Sequence, residues 1–363
     1  MSILAKNILI VDDSALMRRV ICDIIATDSR FHVEDMARNG LEALELLEKK
    51  SYDAIILDVN MPRMTGLELL KAMQDKHMHC RVMMFSTTTK EGARETMEAL
   101  ELGAIDFIQK PDGVAGGSKE EFRERFLTIL ATVARSYVTR TTDKGLVRLG
   151  VPAGTKSDSV RPSLRTTVKV TGEKIVAIAS STGGPKALQS LIPKLPANLN
   201  APVLLVQHMP VGFTKSLADR LDELSAIHVK EAEDGETIQK GTVYIAQGGR
   251  HMKLHRIGGA YVLKYSDEPT REGVRPCANY MYESLMDSGF AEVCCTIMTG
   301  MGADGTAGIK NLIEKKSVHI IAQSEETCAV YGMPRAIAAT GLVNELLPLD
   351  QIADAIVKKV GTL

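Results

Sequence analysis

From Asn7 to about Ser136, short runs rich in Val, Ile and Leu alternate with amphipathic segments. Ile8–Val11, FHVEDMA, Asp53–Asp58, Arg81–Phe85 and Ala104–Ile108 predict five strands, and segments between them such as GLEALELLEKK carry helical spacing. Near-continuous apolar runs mark strands covered on both faces, which is the signature of βαβ units and a mostly parallel sheet. A last helix is expected near Lys119–Tyr137. Residues 141–172 then lose periodicity and collect Gly, Pro, Ser and Thr, with six Lys/Arg against two Asp, so residues 138–172 read as a linker. A second alternating series starts at Lys174 with KIVAIAS, a helix from Pro185, APVLLVQ and a helix near Thr214–Leu224. It continues through VKEAE, GTVYIAQ, YVLKYS, a helix near Asn279–Ser288, VCCTIMT, a helix near Gly305–Glu314, SVHIIAQ and a closing helix after Pro334. The expected architecture is two doubly wound, mostly parallel α/β domains, residues 6–125 and 173–361, joined by a flexible linker.

Composition narrows the partners. A formal net charge of −1 leaves no global field to attract nucleic acid or an anionic membrane. The six cysteines contain no CxxC pair and several sit in apolar runs, which suits buried reduced thiols and a cytosolic compartment rather than a disulfide frame or a zinc site. No apolar run approaches the ~18 residues a membrane span needs, and no signal peptide is expected ahead of Lys6.

In an open parallel sheet, ligands bind beyond the C-terminal ends of the strands. Asp12, Asp13 and Asp58 all fall there. Singly, such residues are helix caps or turn residues; together, three converging carboxylates repel one another unless a divalent cation neutralises them, and hard oxygen ligands suit Mg2+. Two further strand ends supply Ser86, followed by Thr87, and Lys110 before Pro111, a hydroxyl and an ammonium able to bind phosphoryl oxygens. These residues, with the turn from Asp58 through Asn60 and Pro62 to Gly66, resemble the receiver domain of two-component response regulators. The resemblance implies a flavodoxin-like fold in which Asp58 is the phospho-acceptor. Mg2+ would be held at Asp12, Asp13, Asp58 and the carbonyl of Asn60. Ser86 or Thr87 would sense the phosphoryl group, Lys110 would pair with it, and Phe107 would occupy an aromatic switch position.

The second series carries its own chemistry. KIVAIAS runs into Ser180-Ser181-Thr182-Gly183-Gly184-Pro185, a turn that exposes a serine at a helix N-terminus. APVLLVQ delivers His208, a candidate base, and VCCTIMT leads into a Gly300–Gly305 turn carrying Asp304, able to orient an imidazole. That turn also spells GxGxxG with Glu325 about twenty residues on, the pattern of a dinucleotide site. Asp304 between the second and third glycines argues against it, because its charge opposes a pyrophosphate.

SerSerThrGlyGlyPro, GlnHisMetPro and ThrGlyMetGlyAlaAspGly, following a receiver, resemble the protein-glutamate methylesterases of bacterial chemotaxis. The resemblance implies a Rossmann-like three-layer catalytic domain in which Ser181 is the nucleophile, His208 the general base and Asp304 the residue that orients it. Thr182 and Met301 would shape the oxyanion site; His251, in Gly-Gly-Arg-His-Met, is either a cleft residue or a turn histidine. It further implies hydrolysis of glutamyl methyl esters on the cytoplasmic domains of chemoreceptors, with methanol released and receptor glutamines deamidated. A chemotaxis histidine kinase would be the phosphodonor, and no cofactor is expected in the catalytic domain. The unphosphorylated receiver would block the catalytic rim. Three departures from the family's usual pattern are Ser180 beside the nucleophile, Ala303 where Asn is common, and Asn279 where an acidic residue follows the Arg-Pro pair. A response regulator with a DNA-binding output is disfavoured, since the C-terminal part is far larger than a helix-turn-helix module and has no strongly basic helix.

Overall fold

A computed structural model of the chain describes residues 5–87, 89–111, 119–136, 138–142, 145–149 and 171–363. The chain divides into two compact units, Met1–Val138 and Thr139–Leu363, each organised around its own parallel sheet.

In the first unit, strands β1 (Lys6–Val11), β2 (Phe31–Ala37), β3 (Ala54–Asp58), β4 (Val82–Ser86) and β5 (Asp106–Gln109) alternate with helices α1 (Ala15–Ile25), α2 (Gly40–Lys49), α3 (Gly66–Asp75), α4 (Lys90–Glu101) and α5 (Lys119–Val133). The strand order is β2-β1-β3-β4-β5, every neighbouring pair parallel. All five residues of β3 are buried, which is why it reads as an unbroken apolar run closed by Asp58. Helices start where polar caps stand. Ser14 Oγ accepts from the Met17 amide, and Thr65 and Glu68 form a reciprocal capping box at α3. Phe126 of α5 is fully buried edge-on to Phe85 of β4, ring centroids 6.2 Å apart, a burial worth roughly 2–3 kcal/mol.

Two short strands, β6 (Val138–Thr142) and β7 (Gly145–Leu149), pair with each other inside the span expected to be linker. Residues 150–170 of that span lie outside the described residues.

The second unit contains β8 (Lys174–Ser180), α6 (Gly184–Leu191), β9 (Val203–Gln207), α7 (Phe213–Leu224), β10 (His228–Glu231), β11 (Thr242–Ile245), β12 (His251–Ile257), β13 (Ala260–Ser266), α8 (Ala278–Ser284), β14 (Glu292–Ile297), α9 (Thr306–Leu312), β15 (Ser317–Gln323), α10 (Met333–Ala338), β16 (Glu345–Leu347) and α11 (Leu349–Val360). Seven strands form one parallel sheet in the order β10-β11-β9-β8-β14-β15-β16. The expected α/β class therefore holds in both units. One addition is the antiparallel hairpin β12-β13 beside the sheet. The YVLKYS segment predicts its second strand; its first alternates buried Met252 and Leu254 with polar Lys253 and His255, a pattern too charged to stand out.

Candidate functional site

Strand order reverses between β1 and β3 in the first unit, and the acidic residues gather at that switch point. Asp12 and Asp58 are buried, Asp13 is exposed, and one carboxylate oxygen from each lies within 4.8 Å of the others. Lys110 bridges the two buried carboxylates, its Nζ 2.9 Å from Asp12 Oδ2 and 2.8 Å from Asp58 Oδ2. The other oxygen of Asp58 accepts from the Val59 amide at 2.8 Å. Gly66 is required here, because a Cβ would overlap the Asp58 carbonyl. Asn60 spends its side-chain amide on Glu95 Oε2 at 2.8 Å. Ser86 is fully buried at the end of β4, its hydroxyl donating to the Gly92 carbonyl (3.2 Å) and accepting from Thr96 Oγ1 (2.6 Å), whereas Thr87 Oγ1 lies 3.3 Å from Thr89 Oγ1. Phe107 is buried in β5. An all-carboxylate, hard-oxygen donor set of this kind fits a divalent cation such as Mg2+.

Burial, opposed by the Lys110 ammonium and helped by the Asp12 charge, pushes the Asp58 carboxyl from its ordinary 3.8 up to about 6. The folded chain therefore keeps a proton that the unfolded chain has already released. The associated stability is complete below the ordinary carboxylate range and is lost as pH rises through about 6. With a chelator present, urea unfolding is expected to show a loss on the order of 2 kcal/mol across this window. Asp58→Asn, which cannot titrate, should flatten that dependence; equal slopes for both proteins would assign it to other groups.

In the second unit the order reverses between β8 and β14, and the three remaining candidates meet around that point. Ser181 follows β8 directly and is partly exposed, with its amide donating to the Thr299 carbonyl beyond β14 (3.0 Å). Its hydroxyl bonds to nothing among the described residues. Gly183 takes a left-handed φ of 75° and starts α6, with Pro185 in its first turn. The Thr182 amide donates to no group among the described residues. Gly300 backs onto Ser181: a side chain there would overlap Ser181 Cβ and the Met333 sulfur. His208 follows the neighbouring strand β9, its amide bonded to the Ser180 carbonyl (3.1 Å), and its Nε2 lies 2.8 Å from Asp304 Oδ2.

Asp304 is buried and heavily bonded. Besides His208, it accepts from the Ala278 amide (2.6 Å), the Asn279 amide (2.9 Å), its neighbour Gly305 (2.8 Å) and the Cys277 thiol (3.0 Å). Burial alone would raise its pKa, but the His208 bond and charge, with the Cys277 and Ala278 donors, hold it below the usual carboxylate value. The same environment pushes the Cys277 thiol up to about 12, through burial first and the Asp304 charge second. Asp304 thus caps α8 as well as meeting the imidazole. Asn279 is equally structural, accepting from the Gly305 and Gly308 amides and tying α8 to α9. In the would-be dinucleotide turn, the amide of the third glycine, Gly305, is therefore already engaged by the chain's own Asp304 and Asn279.

Other expectations change. His251 does not line the cleft. It is fully buried, with Nδ1 accepting from the Cys277 amide (3.2 Å) and Nε2 bonded to the Pro269 carbonyl (3.3 Å). Its ring therefore braces the segment that holds Asp304. Ser180 is no rival nucleophile, being buried with its hydroxyl donated to Gln207 Oε1 at 2.7 Å. Gln207 itself is a residue that the motif QHMP carried without a role. Its Nε2 donates to the carbonyls of Ser181 (3.0 Å) and His208 (3.2 Å), clamping both strand ends. The available signal was a polar side chain closing the buried run VLLVQ. Met301 stands 43% exposed on the same turn as Asp304.

Fold and residue pattern put the chain in the class of response regulators with an enzymatic output unit. Residues 8–115 match the response regulator receiver domain and residues 176–356 match CheB methylesterase. The protein-glutamate methylesterase/protein-glutamine glutaminase of Geobacillus kaustophilus is 43% identical over 98% of this chain and 99% of its own length, and that of Bacillus subtilis 42% identical over 96% and 97%. The crystal structure of the Thermotoga maritima CheB methylesterase catalytic domain covers 52% of this chain and 99% of its own, at 40% identity and a TM-score of 0.50. The chain belongs to the protein-glutamate methylesterase/protein-glutamine glutaminase family. Among the described residues, no helix is long and apolar enough to cross a membrane.

Proposed function

We propose that this protein hydrolyses glutamate methyl esters on the cytoplasmic domains of chemoreceptors, releasing methanol, deamidates receptor glutamines by the same route, and is stimulated by phosphorylation of Asp58. The observation that carries the catalytic part is the 2.8 Å contact between His208 Nε2 and a buried Asp304, beside a serine whose hydroxyl has no hydrogen-bond partner among the described residues. Asp304 occupies Nε2, so Nδ1 is the nitrogen left to take the Ser181 proton. Ser181 Oγ attacks the glutamyl carbonyl, and the oxyanion of the tetrahedral intermediate is stabilised by the Thr182 and Met301 amides. Collapse breaks the ester C–O bond, His208 returns the proton to the departing methoxide, and an acyl-enzyme remains. Water, deprotonated by His208, then releases the glutamate and restores Ser181. A glutamine substrate differs only in losing ammonia.

In the receiver, Asp12, Asp13, Asp58 and the Asn60 carbonyl would hold Mg2+, which when bound offsets the charge of the carboxylates and of an incoming phosphoryl group. Lys110 pairs with that group, Ser86 supplies the sensing hydroxyl and Phe107 the adjacent aromatic. The preference for Ser86 over Thr87 rests on its direct links to α4 through Gly92 and Thr96. The donor would be a chemotaxis histidine kinase.

Mass spectrometry of a methylated receptor fragment tests the whole reading, because demethylation, deamidation and inactivity leave different masses. Demethylation is expected from the wild type and should accelerate with a small-molecule phosphodonor. Asp58→Asn should keep the unstimulated rate and lose the acceleration. An unchanged fragment would refute the esterase assignment, and a phosphodonor response surviving in Asp58→Asn would refute the regulatory one.

A further inference from the structure

Among the described residues, the Arg275 side chain meets no acceptor. It is partly buried, its Nε is buried with no hydrogen-bond partner, and no ion pair reaches its guanidinium among the described residues. The nearby arginines differ. Arg271 Nη1 lies 2.9 and 2.8 Å from the two carboxylate oxygens of Glu283, and Arg250 approaches Asp267 at 3.8 Å. Leaving a guanidinium N–H desolvated and unpaired is unfavourable, and such groups in folded proteins are normally satisfied by something.

Its position ties it to the candidate site. The Arg275 carbonyl accepts from the Gly249 amide at 3.2 Å. Gly248 and Gly249 pack so closely on Pro210 and Val211, just beyond His208, that a Cβ on either would overlap them. Two residues after Arg275, the Cys277 thiol donates to Asp304. Arg275 is therefore strung between the loop that follows the imidazole and the segment that holds its carboxylate partner. Val211, three residues after His208, and Met301, three residues before Asp304, are both exposed apolar side chains.

We propose that Arg275 is a substrate-recognition residue whose guanidinium takes a carboxylate of the substrate protein, on a residue beside the glutamyl group that reacts at Ser181. The proposal rests on the esterase and deamidase reading above. Its chemistry follows from the planar fork of donors, which matches a carboxylate better than any other protein group, and from a substrate class defined by glutamate side chains. The contact exists in the ground state and persists in the transition state, so it governs binding rather than the chemical step.

The test uses the intact chain with Arg275→Gln and Arg275→Lys, and two methylated receptor fragments. One fragment is native; in the other, acidic residues next to the ester are replaced by alanine. On the native fragment, Arg275→Gln is expected to raise KM roughly tenfold or more with kcat within about twofold, and Arg275→Lys should fall between it and the wild type. On the alanine fragment the wild type should show a comparable rise, and Arg275→Gln should add nothing further. An unchanged KM, losses that simply multiply on the second fragment, or a fall confined to kcat would each overturn the proposal. Matching unfolding midpoints for the three proteins remove misfolding as a cause. If the wild type releases no methanol from the native fragment, the esterase reading itself fails and this proposal with it.

Discussion

Alanine at position 181 is expected to lower kcat for methanol release by roughly 10,000-fold or more while leaving stability within about 0.5 kcal/mol of the wild type. Both halves follow from one observation. The Ser181 hydroxyl bonds to nothing among the described residues, so its removal strands no donor or acceptor, and the backbone that positions it is held independently by Thr299 and Gln207. What is lost is the oxygen that the proposed mechanism has attack the ester. Single-turnover kinetics with methylated receptor fragment, together with a thermal melt, would check the pair. Residual turnover within tenfold of the wild type would mean another group attacks the ester. Ser180 is a poor alternative, since it is buried and already bonded to Gln207.

Asp304→Asn should combine the two kinds of damage. Catalysis is expected to fall by roughly 1,000- to 10,000-fold, because an amide cannot stabilise the imidazolium and presents an N–H where the His208 ring needs an acceptor. Stability should fall by about 2–4 kcal/mol as well. The carboxylate accepts from three backbone amides and a thiol in addition to His208, and an asparagine cannot satisfy all of them. Since its pKa is depressed in the folded protein, the wild-type contribution is present above the ordinary carboxylate range and lost as pH falls through the lower folded value. Denaturation at neutral and acidic pH would reveal this, because the gap between wild type and variant should shrink on acidification. A variant with wild-type stability and no activity would instead make Asp304 purely a catalytic group.

Much of this site was legible in the sequence because parallel α/β sheets place functional groups where buried strands end. Asp58 after an apolar run, Ser181 after KIVAIAS, His208 after VLLVQ and Asp304 in the turn after VCCTIMT all stand out for that reason. The residues that hold them do not. His251 reaches Cys277 and Cys277 reaches Asp304 across 26 and 27 positions of sequence, and no spacing rule links a hairpin strand to a helix start at that separation. The chemistry of His251 alone therefore suggests a place in the cleft, whereas its environment makes it a brace. Gln207 sits beside a histidine that drew attention to itself. Strand β12 does not stand out in the sequence, because Lys253, His255 and Arg256 weaken its two-residue alternation.

The two acidic sites also differ in what surrounds them. In the receiver, a lysine bridges two carboxylates across the sheet, whereas in the second unit a single carboxylate is surrounded by amides from two helix starts. Charge placed on the first must be answered by a counter-ion, and charge on the second is already answered by the fold.

Asp304 therefore serves two masters, and this has a genealogical consequence. In a lineage that lost the enzyme but kept the domain, selection for a foldable chain would still retain Asp304, since α8 and α9 begin on it. Ser181, whose hydroxyl bonds to nothing among the described residues, would be free to drift. On the proposed mechanism, the aspartate's survival in descendants of this protein reports only that the domain folds, and the serine's survival marks a working esterase.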